Sequence, residues 1–140
     1  MDDTSGIGSL RILHVALLAS VLLFALIGEQ LGPTEPRDVT VIRLVLTLVA
    51  LLEVGVAMFF RKRMVQQAEE MLAREASNAE ALKKWRAGKM VSYALAESLG
   101  VLGLALRMMG GTLTEAAPFY AGAIVLLLLW APRGEFARQA

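Results

Sequence analysis

The chain has 140 residues, a net charge of +1 and an apolar fraction of 56%, with a mean hydropathy of +0.58. The apolar fraction and the mean hydropathy both exceed what a soluble domain needs. Together with long uncharged runs, they indicate membrane spans within one compact unit. The chain has no cysteine and one histidine, His14, which excludes disulfides and Cys-ligated metal centres and leaves little for His-based catalysis.

Four apolar segments follow one another along the chain. The acidic N-terminus precedes the first segment where a secretory signal would be basic, so we expect that segment to be retained as a span. A loop with two prolines separates it from the second segment. The sequence therefore predicts an all-α membrane protein, a single domain of four transmembrane helices. The predicted spans are residues 10–30, 39–60, 90–109 and 113–131.

A charged, helix-prone segment, residues 61–89, connects the second and third spans. Ser77 and Glu80 have the spacing of a capping box, so we expect one helix to end and the next to begin there. The two spans would then extend beyond the membrane as a helical hairpin with a reach of roughly 20–25 Å. The thin apolar seam of this hairpin would consist of Val65, Ala68, Leu72, Ala76, Leu82 and Trp85. Thr112 and Glu115 predict a second capping box, at the start of the fourth span.

Lysines and arginines are distributed unevenly between the two ends of the predicted bundle. Three of them, Arg37, Arg43 and Arg107, lie at one end, and the other eleven lie at the opposite end, mostly in residues 61–89. Because cytoplasmic loops carry the excess of basic residues, we expect both termini and the hairpin in the cytoplasm of a bacterial-type inner membrane or its equivalent. Topology explains these charges, and glutamates interleave with them, so we expect no nucleic-acid partner.

Two carboxylates lie inside the predicted spans. Glu53 precedes Arg61 by eight residues and Glu97 follows Lys89 by eight, which places both about 12 Å beyond the basic boundary. If their faces meet, they could share a proton or grip a cation. Alternatively, each is protonated and serves as a hydrogen-bonded contact between helices. The supporting polar layer would consist of Ser20, Ser92, Tyr93 and Ser98.

Small residues surround Glu97 on the third span. Ala96, Gly100 and Gly103 would let another helix backbone approach closely. That helix could belong to the same chain or to a second copy, and both alternatives are open at this point.

Charged side chains are also predicted at the other end of the bundle. Arg43 and Arg107 lie toward the same end of adjacent antiparallel spans, so pairing with Glu29 or Glu115 is plausible, and a structural role is favoured over a chemical one. At the basic end, His14 lies one helical turn inside the boundary, where it could serve as an axial ligand or as an ordinary interfacial histidine.

The run of residues 94–104, ALAESLGVLGL, resembles the ion-carrying helix of the rotor-ring c subunits (proteolipids) of rotary ATP synthases. The similar region, residues 78–106, covers about a fifth of the chain. In that family one carboxylate on a helix of the form ALxEALxIYGLV takes up and releases H⁺ or Na⁺. The resemblance implies that Glu97 would be the ion carrier here.

No nucleophile–base pair, phosphate-binding glycine loop or metal cluster is visible in the sequence, so we expect a protein that is not an enzyme. The leading hypothesis is an accessory or structural subunit of a larger membrane assembly, such as a bioenergetic complex. Its partners would be lipid and either other membrane subunits or further copies of the chain. One alternative is a proton- or cation-handling, c-subunit-like oligomer that uses Glu97 with Glu53. Another is a pigment- or haem-binding subunit that uses His14; no other cofactor is expected beyond H⁺ or Na⁺.

Overall fold

The computed structural model describes residues 4–75 and 77–131, and within these ranges the chain is helical apart from short connections. The predicted all-α class is therefore confirmed. The elements are α1 (Thr4–Leu31), α2 (Thr40–Phe60), a π-helical turn (Arg61–Gln66), α3 (Gln67–Arg74), α4 (Ala79–Met108) and α5 (Leu113–Leu129).

Three helical stretches are long and apolar enough to cross a membrane, namely Gly8–Leu31, Thr40–Arg74 and Ala79–Met108. The helix α5 is also apolar, but it has 17 residues. It therefore extends about 25 Å, somewhat less than the ~30 Å hydrocarbon core of a bilayer. Four apolar helices are thus present as predicted, and three of them qualify as candidate spans; the crossing by α5 stays a prediction.

Helix α4 lies at the centre of the unit and packs against α5, α1 and α2. Tyr93 and Leu99 of α4 join Val21 of α1 and Leu127 of α5 in the main apolar cluster. In contrast, α2 packs substantially against α4 alone among the α-helices, and most of its leucines and valines are exposed. The unit therefore has a packed side, formed by α1, α4 and α5, and an outlying helix, α2.

The π-helical turn joins α2 to α3 in one continuous rod. It sits directly on α4, because a Cβ atom placed on Gly88 would lie 2.8 Å from both Met64 Cβ and Val65 Cγ2. Beyond the turn, α3 packs along the first turns of α4. The apolar seam between them contains Val65, Ala68, Leu72, Ala81 and Trp85, together with Leu10 of α1 and the partly buried Leu82. Of the predicted seam, Ala76 lies outside the described residues.

The predicted capping box at Ser77 is wrong by one residue. Helix α4 begins at Ala79, and its N-cap is Asn78, whose side chain accepts a hydrogen bond of 3.0 Å from the backbone N–H of Ala81. Asparagine caps a helix as well as serine does, because its side-chain oxygen reaches the same unsatisfied N–H groups. The change of direction between the two helices nevertheless falls where it was predicted.

The connection between α4 and α5 is built from a helix stop and a helix start. Gly110 has φ +104, a left-handed conformation that favours glycine. The N–H of Gly110 bonds to the carbonyl of Arg107 at 3.1 Å, the pattern of a Schellman stop. Thr112 and Glu115 then form the predicted capping box, which is confirmed.

Candidate functional site

Glu97 of α4 points toward α1. Its Oε1 atom is hydrogen-bonded to the hydroxyl of Ser20, a residue 77 positions earlier in the chain. Both side chains are half-buried. The structure therefore brings together Ser20 and Glu97, two of the residues that the sequence analysis assigned to the polar layer.

Glu53 of α2 has a different partner. Its Oε2 atom lies 2.7 Å from the hydroxyl oxygen of Ser98, and that same oxygen lies 2.7 Å from the carbonyl oxygen of Leu95. A serine hydroxyl has one hydrogen, and a carbonyl oxygen can only accept. The hydrogen of the Ser98 hydroxyl is therefore shared between the Glu53 carboxyl and the carbonyl of Leu95, so that Ser98 links α2 to the backbone of α4.

The two carboxyl groups do not meet as the sequence suggested they might. Successive residues of a helix point about 100° apart, so Glu97 reaches α1 while the adjacent Ser98 reaches α2. Each carboxyl is hydrogen-bonded to a serine across a helix boundary, and no hydrogen bond joins Glu53 to Glu97 among the described residues. The result is two serine–carboxyl pairs on neighbouring faces of α4.

Two residues assigned to the polar layer lie outside it. The hydroxyl of Ser92 donates 2.8 Å to the carbonyl of Gly88 within α4. The hydroxyl of Tyr93 donates 2.9 Å to the carbonyl of Trp130. Both side chains are fully buried. Their hydroxyls bond to other groups because Ser92 and Tyr93 lie more than one helical turn before Glu97 on α4.

The small residues of α4 are used within the chain. A Cβ atom on Gly100 would lie 3.2 Å from Val21 of α1, and one on Gly103 would lie 2.8 Å from Tyr120 of α5. Ala96 is also fully buried. Helix packing by these residues is thus intramolecular, and the face they form is not available to a second copy.

At the end opposite the π-helical turn, two ion pairs tie the helices together. Arg107 Nε lies 2.7 Å from Glu29 Oε1, which joins α4 to α1. Arg43 Nη1 lies 2.8 Å from Glu115 Oε1, which joins α2 to α5. The pairings considered from the sequence are therefore formed, and Arg107 also donates to the carbonyls of Pro33 and Gly111.

An open groove runs between α2 and α5, which otherwise have little contact. Its volume is about 420 Å³. Thr47 and Leu51 line it on the α2 side and Pro118 and Gly122 on the α5 side, with the Arg43–Glu115 pair at one end. Most of its lining is apolar, so it fits an apolar chain or side chains.

A cluster of basic and aromatic side chains gathers at the opposite end, where α5 terminates. We call His14, Arg61, Lys89, Tyr93 and Trp130 the basic cluster. Lys89 is only 4% exposed and donates to the carbonyl of Trp130 at 3.4 Å. The sequence analysis counted Lys89 among the basic residues that predict membrane orientation, and it did not predict that this side chain is buried. The only available signal was the spacing of Lys89 and Tyr93, one helical turn apart on the same face.

His14 is buried, and its ring lies 5.3 Å from the ring of Tyr93. Among the described residues, no group of three or more His, Asp or Glu side chains could hold a metal ion. No family model, curated protein or solved structure matches this chain.

Proposed function

We propose that this protein is a non-catalytic accessory or structural subunit of a larger membrane assembly, such as a bioenergetic complex. The observation that carries the proposal is the placement of α2. This helix packs substantially against α4 only, and the side chains of Leu48 and Leu52 are 60% and 68% exposed. In a bilayer such a surface is covered by lipid or by a partner helix. The groove beside α5 widens the surface that a partner could occupy.

The serine–carboxyl pairs support the same structural role. Each joins α4 to a neighbouring helix, and hydrogen bonds between membrane helices stabilise by about 0.6 kcal/mol on average. The two hydrogen bonds would fix the orientation of α1 and α2 relative to α4. With this orientation fixed, an accessory subunit would always present the same face of α2 to its partner.

Co-purification in mild detergent tests this proposal. Leu48→Trp and Leu52→Trp each place a larger side chain on the exposed face of α2. Lipid tails can move aside for the larger side chain, whereas a partner helix packed on that face cannot. The matched control is Leu128→Trp on α5, where the side chain is 56% exposed. We expect the wild type and the control to retain a partner polypeptide and the α2 variants to lose it. An isolated, monodisperse wild-type monomer would contradict the proposal.

A second candidate function, proton or cation handling, is favoured by one specific observation. Glu53 and Glu97 both lie in helices long and apolar enough to cross a membrane, and each is hydrogen-bonded to a serine of another helix. Ionisable groups inside spans are commonly proton or ion sites. Glu97, hydrogen-bonded to Ser20, would be the exchanging group in a c-subunit-like oligomer. The small face of α4 is filled within the chain, so any ring contacts would have to use another face.

A hydrophobic carbodiimide distinguishes the two functions. If Glu97 exchanges ions, it reacts in the wild type, and Na⁺ or high pH protects it. The variant Glu97→Gln is the control for labelling at this position, and Glu53→Gln is the control for the second carboxyl. A well-folded preparation in which neither carboxyl reacts would argue for the structural role.

The orientation follows from the basic residues. We place the π-helical turn and the connection between α3 and α4 in the cytoplasm, because the basic excess lies there. The natural chain lacks cysteine, so single cysteines report cleanly on topology. Ser77→Cys should be shielded from an impermeant thiol reagent in intact cells and Thr34→Cys should react. The reverse pattern would contradict this orientation.

A further inference from the structure

We propose that the basic cluster binds the phosphate of an anionic phospholipid headgroup. The binding groups are the guanidinium of Arg61 and the ring nitrogen of His14, with the ammonium of Lys89 beside them. The site lies where α1, the π-helical turn, α4 and the end of α5 converge. It goes beyond the accessory role and does not depend on it.

The cluster is organised around Trp130. The carbonyl of this residue accepts hydrogen bonds from the hydroxyl of Tyr93 at 2.9 Å and from Lys89 Nζ at 3.4 Å. The guanidinium carbon of Arg61 lies 5.6 Å from the centre of the Trp130 ring. His14 completes the group through Tyr93, with 5.3 Å between the two ring centres. Lys89 and Arg61 are thus held against the end of α5, and His14 lies beside them against Tyr93.

Two nitrogen atoms in the cluster are buried without a hydrogen-bond partner in the structure: Nη1 of Arg61 and Nδ1 of His14. His14 as a whole is only 7% exposed. Buried polar atoms in native proteins are nearly always hydrogen-bonded, and a bound water, ion or ligand is a common partner of such exceptions. Two such atoms in one cluster have a common explanation if a single acceptor group lies between the helices.

The missing acceptor should be an anion. The C-terminal end of a helix carries only about half a negative elementary charge, which is less than the full positive charge of Arg61 alone. A guanidinium binds phosphate with two parallel hydrogen bonds, and such charge-assisted bonds are the strong ones. Phosphate therefore fits the donors that the cluster leaves unused.

The surroundings favour a lipid as the carrier of that phosphate. Trp130 lies at the end of the apolar helix α5, the level at which interfacial aromatic residues meet headgroups, and Tyr93 is hydrogen-bonded to its carbonyl. Trp85 extends this aromatic layer, with Lys89 Nζ 5.7 Å from its ring centre. Basic pockets between transmembrane helices bind anionic headgroups, and exposed basic residues nearby attract the same lipids. Lys62 and Arg63 are exposed next to Arg61.

The wild-type protein permits a direct binding test. Its two tryptophans, Trp85 and Trp130, both lie at the basic cluster, so tryptophan fluorescence reports on lipid bound there. The full chain is reconstituted in phosphatidylcholine vesicles that contain a minor fraction of brominated phosphatidylglycerol or brominated phosphatidylcholine. Stronger quenching by the brominated anionic lipid supports the site. Equal quenching by the two lipids would overturn it.

A matched pair of variants tests whether the site is specific. Arg61→Gln removes the proposed phosphate ligand, whereas Arg63→Gln removes the same charge from the same turn. The Arg63 guanidinium lies 5.4 Å from the ring of Phe59 instead, outside the cluster. We expect Arg61→Gln to weaken the preference for anionic lipid about tenfold and Arg63→Gln to weaken it less than about threefold. Equal losses would overturn the proposal, since general surface attraction predicts them.

Two further measurements keep the test decisive. If Arg61→Gln does not fold, Arg61→Lys retains the charge but loses the two-point contact, and an unchanged lipid preference in that variant would overturn the proposal. In the second measurement, inorganic phosphate is added to the vesicles, and chloride at the same ionic strength serves as the control. If millimolar phosphate abolishes the extra quenching, free phosphate displaces the headgroup and is the preferred occupant of the site, which contradicts the lipid assignment. Persistence of the quenching supports the lipid.

Discussion

Tyr93 donates a hydrogen bond of 2.9 Å to the carbonyl oxygen of Trp130 and thereby ties the middle of α4 to the end of α5. The tyrosine is fully buried, and its hydroxyl satisfies a carbonyl that has no partner within its own helix. Both residues belong to the main apolar cluster, and the bond lies at the end of that cluster next to the basic cluster. Its effect on stability can be measured against an internal control.

Tyr93→Phe removes this hydrogen bond and keeps the ring. We expect a loss of about 1 kcal/mol in the free energy of unfolding, measured in detergent micelles, because a buried carbonyl loses one of its donors. Tyr120→Phe is the control: the Tyr120 hydroxyl is buried without a partner, so its removal should be neutral or slightly stabilising. Equal losses in the two variants would show that the Tyr93 bond contributes nothing specific.

The hydrogen bond from Ser98 to Glu53 predicts how variants of this pair behave. In Glu53→Gln the free energy of unfolding, measured in detergent micelles, should stay within about 0.5 kcal/mol of the wild-type value, because the amide oxygen of glutamine can accept the same hydrogen bond. Ser98→Ala should lower stability by about 0.6 kcal/mol, since it leaves the carboxyl without its partner. A loss in Ser98→Ala no larger than the loss in Glu53→Gln would contradict a stabilising role for this bond.

Gly88 is required for the contact between the π-helical turn and α4. In Gly88→Ala the new methyl group would lie 2.8 Å from Met64 Cβ and Val65 Cγ2, so we expect a loss of about 1–3 kcal/mol from overpacking. Gly55→Ala is the matched control within α2, where nothing lies within 4 Å of the added atom. That variant should be neutral or stabilising, because alanine favours a helix. Thermal unfolding followed by circular dichroism distinguishes the two.

The two ion pairs at the other end should differ in strength. The side chain of Arg107 is 14% exposed and donates to Glu29 and to two carbonyls, so Arg107→Gln should cost about 1–2 kcal/mol. The side chain of Arg43 is 44% exposed and bonds to Glu115, so Arg43→Gln should have a much smaller effect. Denaturant titration at low and high salt checks the order, and added salt should weaken the Arg43 pair more. A larger loss in Arg43→Gln would contradict this ranking.

Local sequence patterns were sufficient for the helices themselves. Apolar runs of span length and stretches of helix-forming residues predicted the helical rods and the change of direction near residue 77. Thr112 and Glu115 predicted their own capping box, because both hydrogen bonds of that motif lie within four residues. Each of these properties depends only on residues that are close in the chain.

The partners of the polar side chains were decided only by tertiary structure. Glu97 and Ser98 are neighbours in sequence, yet one bonds to α1 and the other to α2, because a rotation of 100° per residue turns them to different helices. Lys89 looked like a surface charge, but it is buried against the carbonyl of Trp130, 41 residues away. Such contacts depend on how each helix is rotated about its axis, and side-chain packing across the whole unit sets that rotation.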